Sequence, residues 1–443
     1  MKSIINILFF VLLSLAVKSQ DPQFSQVNLN RDYINPAYVG FSDNLSFNYS
    51  RRNQWLNIPA KINSNFFSLN SFCENSGIGL GLVGLSNIEG EGAIKTNSAS
   101  GVFSYTLSHD TRGKKFRKSP KNKTPHQHSG LFTMSSAVQV GVLQKSIDWS
   151  KLVFSDQLDS RYGNINSTRA NPRPESTGIL VDVGGGVVMR YYFTTKKRPA
   201  GKKKYSYQGS FLTLGGSFQH LNEPTESFLG RTTRLPTRWN IHGNYIRKIQ
   251  NKNYINGPTT QYGVEFLFQK QGNFHSFRSG FLFTYRDWFL LNLSWRGNFG
   301  EYKNSDSFIG SVMFSFNNPK RKPKSEARAT ITNGKVSKDK GKIEFDGSNK
   351  ISVGFTYDLT TYPLAYKSTF GTFEINLRYE FSRGICNSES KIENKKRMRS
   401  HKNCPSPGGV NNQMVNNNPT KKEHNSKLRR NSDRSIELYK IGM

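Results

Sequence analysis

The clearest hydrophobic pattern of the chain lies in residues 374–381, where apolar side chains occupy every second position. The stretch reads EINLRYEF, so that Ile375, Leu377, Tyr379 and Phe381 share one face and polar residues share the other. A two-residue period is typical of a β-strand with one apolar and one polar face. One interpretation is the last strand of an outer-membrane β-barrel, with these four side chains facing lipid and forming the signal for barrel assembly. The alternative is a half-buried strand of a soluble sandwich.

Similar segments upstream favour the barrel. Many show the same alternation, as in Val138, Val140 and Val142. Fourteen strands are expected, an even number as in single-chain bacterial barrels. The chain is thus predicted to be all-β, a transmembrane antiparallel barrel over residues 44–381. The candidate strands are roughly 44–50, 62–73, 77–86, 94–109, 131–145, 178–193, 207–220, 237–249, 261–269, 276–285, 288–297, 306–317, 350–358 and 369–381.

The N-terminus predicts export. Residues 1–19 have a positive start at Lys2, an apolar core and small or modest residues before Gln20, as a signal peptide requires. The alternative, a membrane anchor, is disfavoured because the apolar run is shorter than the roughly 20 residues of a spanning helix. An exported chain without such helices can enter a membrane only as a closed barrel, since open sheet edges cannot face lipid. Residues 20–43 precede the first strand and are a candidate plug of the lumen.

Composition and charge agree with a barrel that carries a polar lumen. Hydrophobic residues make up 35% of the chain and aromatic residues 13%, and the mean hydropathy is −0.62. A formal net charge of +33 would ordinarily suggest a nucleic-acid-binding protein, but the signal peptide argues against that function. With the N-terminus in the periplasm, the basic insertions at 112–123, 196–204 and 320–342 fall on periplasmic connections. So does the basic tail 382–443, which we expect to be disordered. These segments are either solvated loops or a surface for an acidic partner or an anionic membrane.

Little in the sequence points to catalysis or to a bound cofactor. No metalloprotease, nucleophile-elbow or phosphate-loop motif is present, so the chain is not expected to be an enzyme. His126 and His128 have metal-ligand spacing but lie in a basic loop without a nearby carboxylate, and no metal site is expected. Of the three cysteines, Cys386 and Cys404 either form a disulfide in the oxidising compartment or remain free thiols.

A series of short segments makes the chain recognisable. In order they are DPQFSQ from Asp21, NPA from Asn35, RNQW from Arg52, QKSIDWSKL from Gln144, FSDQLD from Phe154, HLNEP from His220, SFLG from Ser227, QKQG from Gln269 and YDLT from Tyr357. Together, from about residue 20 to 381, they resemble the PorP/SprF family of type IX secretion system membrane proteins. The last strand departs from that resemblance, with Phe373-Glu374-Ile375-Asn376 where the family usually has His-Glu-Ile-Ser. The chain also continues well past Cys404-Pro405.

The resemblance implies a non-enzymatic outer-membrane barrel of the type IX secretion and gliding machinery of Bacteroidetes-type bacteria. Such a barrel would help to export or anchor an adhesin-like surface protein that carries a type IX C-terminal export domain. Periplasmic secretion-ring components are further implied partners, and outer-membrane lipid would surround the wall. The alternative function is a porin-like barrel that transports solutes through its lumen.

The strand count places several of the recognisable segments on extracellular connections. They are rich in aromatic, charged and amide side chains, as in a polar rim with aromatic anchors. The alternative for each is simple loop packing or an aromatic at the membrane interface. The predicted partner-binding residues on this extracellular rim are Arg52, Trp55, Asp148, Trp149, Asp156 and Phe228.

Overall fold

A computed structural model describes most of the chain between residues 20 and 381. The described ranges are 20–41, 45–58, 62–73, 76–110, 128–169, 176–197, 206–227, 233–250, 259–298, 304–319, 330–332, 335–337, 348–361 and 369–381. The predicted signal peptide, most of the basic insertions and the predicted tail lie outside these ranges.

The described chain forms one closed antiparallel barrel of fourteen strands, in which each strand pairs with its sequence neighbours and the first pairs with the last. The predicted fold class and strand number are therefore confirmed. The strands are β1 Ser46–Gln54, β2 Ile62–Cys73, β3 Ile78–Glu89, β4 Ile94–Asp110, β5 His128–Ser146, β6 Leu180–Lys197, β7 Ser206–Gln219, β8 Arg238–Gln250, β9 Thr259–Gln271, β10 Phe274–Tyr285, β11 Phe289–Asn298, β12 Asn304–Pro319, β13 Ser348–Thr360 and β14 Thr372–Glu380.

The two-residue period decides which side chains face the lumen. In β1, Asn48 and Ser50 are buried, whereas Phe47 and Tyr49, which alternate with them, are each 37% exposed. Val138 and Val140 of β5 face outward in the same way, at 55% and 52% exposed. An outer-membrane barrel needs this arrangement because its outer surface contacts hydrocarbon and its interior is polar.

Antiparallel pairing places alternate connections at opposite ends of the barrel. We call the end with the odd-to-even connections the outer end, which the sequence predicts to be extracellular. The other is the tail end, where β1 begins and β14 ends. β5 has 19 residues, more than the 9–11 that a transmembrane strand needs. This strand is therefore longer than the hydrocarbon layer is thick.

Residues 20–41, here called the lumen segment, lie inside the barrel. The segment contains a short α-helix, α1 Arg31–Ile34, and a 3₁₀-helix, Pro36–Phe41. The Asn35 side chain accepts a hydrogen bond from the Ala37 backbone N–H at 3.0 Å, and Pro36 opens the helix. Asn is a favoured N-cap and proline suits the first helical position, so the Asn-Pro-Ala motif is a helix start. Residues 28–41 are all buried.

The remaining secondary structure is small. Two-residue strands Leu158–Asp159 and Gly163–Asn164 pair within the β5–β6 connection, and Thr330–Thr332 pairs with Lys335–Ser337 between β12 and β13. In the described ranges, no helix has the length and apolar character needed to cross a membrane.

Cys73, the last residue of β2, is disulfide-bonded. The chain has two other cysteines, Cys386 and Cys404, and both lie outside the described residues. The two sequence-based alternatives for Cys386 and Cys404, a mutual disulfide or free thiols, therefore concern positions that the structure does not describe.

Candidate functional site

The lumen segment begins at the outer end, where Asp21 is held by residues from several strand ends. Its carboxylate contacts the His220 Nε2 atom at 2.7 Å, and His220 Nδ1 contacts Asp182 at 2.8 Å. The Asp21 backbone N–H donates to Gln271 at 2.9 Å. Arg238 adds a longer ion pair to Asp21 at 3.7 Å. The first residues of the segment are thereby fixed to the mouth of the barrel.

His220 lies just beyond β7 and has an altered proton affinity. Burial disfavours its charged form, but the carboxylates of Asp21 and Asp182 on either side outweigh burial and raise the pKa to about 10. His220 also has φ 57°, a left-handed conformation that is uncommon for residues other than glycine. The imidazolium is therefore an ionic bridge between the lumen segment and the wall at neutral pH.

Deeper in the lumen, Ser25 meets a cluster of arginines and carboxylates. Its backbone N–H donates to Glu374 at 2.7 Å and its hydroxyl donates to Asp358 at 2.6 Å. Arg52 pairs with Asp358 at 3.0 Å and with Glu374 at 3.5 Å. Arg296 also pairs with Asp358, at 3.3 Å. Buried charges are tolerated when they have an ionic partner, and each charge in this cluster has one. Two buried atoms of the cluster, Arg52 Nε and Asp358 Oδ1, have no hydrogen-bond partner within the described part of the chain.

Arginine from β10 completes the contact with the segment backbone. Arg278 donates to the Ser25 carbonyl oxygen and pairs with Glu265 at 3.4 Å. The wall thus contacts both the N–H and the C=O of Ser25. Such contacts hold the backbone in place whatever the neighbouring side chains are.

Apolar packing anchors the same segment. The rings of Phe24 and Tyr33 lie 5.0 Å apart edge to face, and both contact Phe66 of β2, at 5.7 and 5.3 Å. The Tyr33 hydroxyl accepts a hydrogen bond from Arg238 at 2.7 Å. Edge-to-face pairs stabilise beyond simple burial, by about 0.5–1.5 kcal/mol each.

The structure corrects the expected position of Arg52. The sequence predicts Arg52 on the extracellular rim, but it lies in β1, is 2% exposed and points into the lumen. The strand continues to Gln54, beyond the end near residue 50 that the sequence indicated. Polar residues at lumen positions resemble loop residues in a sequence, so the pattern predicts a strand that ends too early. Arg52 is not available to a partner at the surface.

The other predicted rim residues lie on separate connections of the outer end. Trp55 is half-buried at the β1–β2 turn with φ 59°, and its N–H donates to the Gly371 carbonyl at 3.0 Å. Asp148 and Trp149 form one 3₁₀ turn of the β5–β6 connection, in which Asp148 caps Ser150. Asp156 is exposed and accepts from the Thr168 hydroxyl at 3.0 Å. Phe228 lies outside the described residues.

The side chains predicted to signal barrel assembly lie on the outer face of β14 and just after it. Ile375 and Leu377 are each 41% exposed and Phe381 is 38% exposed. Tyr379 is half-buried, with its ring 4.6 Å from that of Phe381. Each faces the lipid side of the wall.

Sequence reasoning missed the inward carboxylates Asp358 and Glu374 and the segment residues that they bind. A signal was present, because a charged residue between the outward positions of the last two strands must face the lumen. Among the described residues, no group of histidine, cysteine, aspartate and glutamate is arranged to hold a metal ion.

Comparison with known families assigns the chain. The sequence model of the protein family described as type IX secretion system membrane protein PorP/SprF matches residues 16–379. The chain belongs to the PorP/SprF family. It is accordingly an outer-membrane protein of a secretion system, as the sequence predicted. In this family member, the recognisable Asp21–Gln26 and Asn35–Ala37 segments form the lumen segment, and Arg52, His220 and Asp358 bind it.

Solved structures similar to the chain are other barrels. CdiB from Acinetobacter baumannii is 8% identical, with a TM-score of 0.29, over 76% of this chain and 60% of CdiB. OccAB3 from Acinetobacter baumannii is 8% identical, with a TM-score of 0.21, over 76% of this chain and 98% of OccAB3. OprB from Pseudomonas putida is 9% identical, with a TM-score of 0.24, over 78% of this chain and 95% of OprB. The chain thus spans less than two thirds of the length of CdiB. No curated protein matches it.

Proposed function

We infer that this PorP/SprF protein is a docking barrel, which helps to export or anchor a secreted surface protein and does not conduct solutes. The observation that carries the proposal is the lumen segment. Residues 28–41 are buried. They contact opposite walls, with Asp32 bonded to Ser68 of β2 at 2.9 Å and the Ile34 carbonyl bonded to Asn240 of β8 at 3.1 Å. A segment fixed to both sides of the lumen obstructs a solute path.

The cargo is proposed from the family. Type IX secretion implies a partner that is exported across this membrane, and the outer end of the barrel is the surface such a partner meets. Half-buried tryptophans beside charged side chains, as at Trp149 and Asp148, supply anchors for an interface. We propose an adhesin-like protein with a type IX C-terminal export domain as that partner. Secretion-ring components are proposed partners at the tail end.

Planar-bilayer recording of the purified full-length barrel tests the proposal against solute transport. A docking barrel with a fixed lumen segment is expected to be silent or to open only rarely, whereas a transport barrel gives steady openings of uniform conductance. The companion measurement is made in cells that lack the protein. The docking function predicts that cargo is lost from the surface and appears in the medium or the periplasm, and normal surface cargo would contradict it.

A further inference from the structure

A barrel wall closes where its first strand meets its last. Here β1 and β14 form nine residue pairs, from Ser46↔Glu380 to Gln54↔Thr372. These two strands are more than 300 residues apart in sequence, so their pairing is the most non-local contact of the wall. Bringing distant segments together costs chain entropy that must be recovered by contacts at the junction.

We call the junction of β1 and β14 the seam. Asn30 of the lumen segment hydrogen-bonds to both of its strands. Its side-chain N–H groups donate to Glu374 at 2.9 Å and to Asn376 at 3.0 Å, both on β14. Its side-chain oxygen accepts from Asn48 at 3.2 Å and from Ser50, both on β1. One carboxamide thus uses its donors on the last strand and its acceptor on the first. Asn30 is 0% exposed, so no water substitutes for these partners at its surface.

The neighbouring residues of the segment repeat the pattern. The Gln26 backbone N–H donates to Glu374 at 3.2 Å, and the Ser25 hydroxyl accepts from Arg52 of β1 at 2.5 Å. Arg52 and Glu374 are themselves register partners across the seam. The lumen side of the β1–β14 junction is therefore covered by a short stretch of the chain that bonds to both strands.

We propose that the lumen segment is a clasp that closes the barrel, holding β1 against β14 from inside. This role is separate from the docking function, because it concerns how the wall closes rather than what the outer end binds. The clasp supplies buried hydrogen bonds at the seam, where pairing strands so distant in sequence costs the most chain entropy.

The chain offers a matched control. Asn35 belongs to the same segment and is likewise 0% exposed. Its side-chain N–H group donates to the carbonyls of Val187 at 3.1 Å and Gly216 at 3.0 Å. These residues lie on β6 and β7, far around the wall from the seam. Asn30→Ala and Asn35→Ala therefore remove the same buried carboxamide, one at the seam and one away from it, and Asn35→Ala also removes the cap of the 3₁₀-helix Pro36–Phe41.

The test compares the two variants with and without a covalent seam. Tyr49 and Leu377 are register partners on the outward face of β1 and β14, so Tyr49→Cys with Leu377→Cys joins the strands without entering the lumen. Full-length protein in outer-membrane vesicles is heated in detergent, and the temperature at which the folded band disappears is measured. Peptide mapping verifies that the new cysteines pair with each other.

Both alanine variants are expected to lower this temperature, by roughly 5 °C or more. The clasp predicts that the seam disulfide restores Asn30→Ala to near the wild-type temperature and leaves Asn35→Ala unrestored. Equal rescue of both variants, or rescue of neither, would overturn the proposal. If Asn30→Ala gives no folded barrel, the amount of folded protein with and without the cysteine pair gives the same comparison.

Discussion

Arg52 brings a full positive charge into a part of the barrel that solvent hardly reaches. It is 2% exposed and is held by Asp358 and Glu374. Removing one partner of a buried ion pair leaves uncompensated charge, which typically costs about 3–5 kcal/mol. We expect Arg52→Ala to lower the free energy of unfolding by about 3 kcal/mol in urea titrations, because Arg296 still neutralises part of the charge.

The adjacent Arg51 is a suitable control, since it lies on the same strand but is exposed on the outer face. Arg51→Ala should not lower the unfolding free energy, because a charge near the lipid boundary costs roughly 0–1 kcal/mol and does not stabilise the fold. Equal effects of the two substitutions would show that Arg52 is not embedded in a buried cluster.

His220 makes the stability of the barrel dependent on pH. Because its pKa is raised to about 10 in the folded protein, the protonated form stabilises the fold. That contribution is fully present below the ordinary histidine pKa of about 6.5 and is lost as the pH rises through about 10. We expect the unfolding midpoint of the wild type to fall across this window more steeply than that of His220→Asn. Parallel profiles for the two proteins would contradict the ionic bridge to Asp21 and Asp182.

Among single residues, the lipid-facing ones were the easiest to place from the sequence. Val138 and Val140 repeat every two residues, and hydrocarbon permits few alternatives on that face. Arg52 could not be placed, since lumen and loop positions both accept polar side chains. Glu374 was visible as an inward charge of the last strand, but its partner Ser25 lies about 350 residues away, and no local pattern connects the two.

The closing strand, β14, is the element whose outer face we expect to direct barrel assembly. Phe381 is 38% exposed and packs edge to face on Tyr379. A charge at this lipid boundary costs roughly 0–1 kcal/mol in stability. Phe381→Asp should nevertheless reduce the amount of heat-modifiable folded barrel in the outer membrane several-fold, because recognition during assembly is lost. Phe47→Asp is the control, since Phe47 is 37% exposed on β1 beside Tyr379. Equal folded amounts of the two variants would refute a special role for β14.

The connections between strands carry the prediction of orientation. Cysteines introduced at Ser119, Ala200 and Ser337 fall on tail-end connections, whereas Glu91 is exposed in the β3–β4 turn at the outer end. On intact cells, a membrane-impermeant thiol reagent should label the cysteine at Glu91 and leave the other three unlabelled. After the cells are broken, all four should react. Labelling of the tail-end cysteines on intact cells would reverse the orientation of the barrel.

Strand number was predictable because each wall strand repeats the same alternation. The exact ends were less so, as in β1, which extends to Gln54. The internal contacts of the lumen segment could not be predicted at all. Its sequence of amides, aspartates and prolines has no period, and its order comes from the wall. The Asn35-Pro36-Ala37 helix start was readable locally, whereas the contact of Asn35 with β6 and β7 was not.

For the whole molecule, the property that tests the proposed function most directly is the strength with which the outer end retains its cargo. The outer end carries Trp55 on one connection and Trp149 on another, and both are half-buried in the free barrel. Burying an interface tryptophan commonly contributes roughly 2 kcal/mol or more, so each alanine substitution should weaken cargo retention about 30-fold.

The experiment compares surface-bound with released cargo in cells that carry Trp55→Ala, Trp149→Ala or both. Equal amounts of folded barrel must first be shown, because Trp55 also shapes the β1–β2 turn through its bond to Gly371. Trp288 is the control, since it is 45% exposed at the opposite, tail end, between β10 and β11. We expect cargo in the medium to rise in the outer-end variants and to stay unchanged in Trp288→Ala. Unchanged retention in the double variant would remove both tryptophans from the mechanism and direct the search for the cargo contact to the basic tail end.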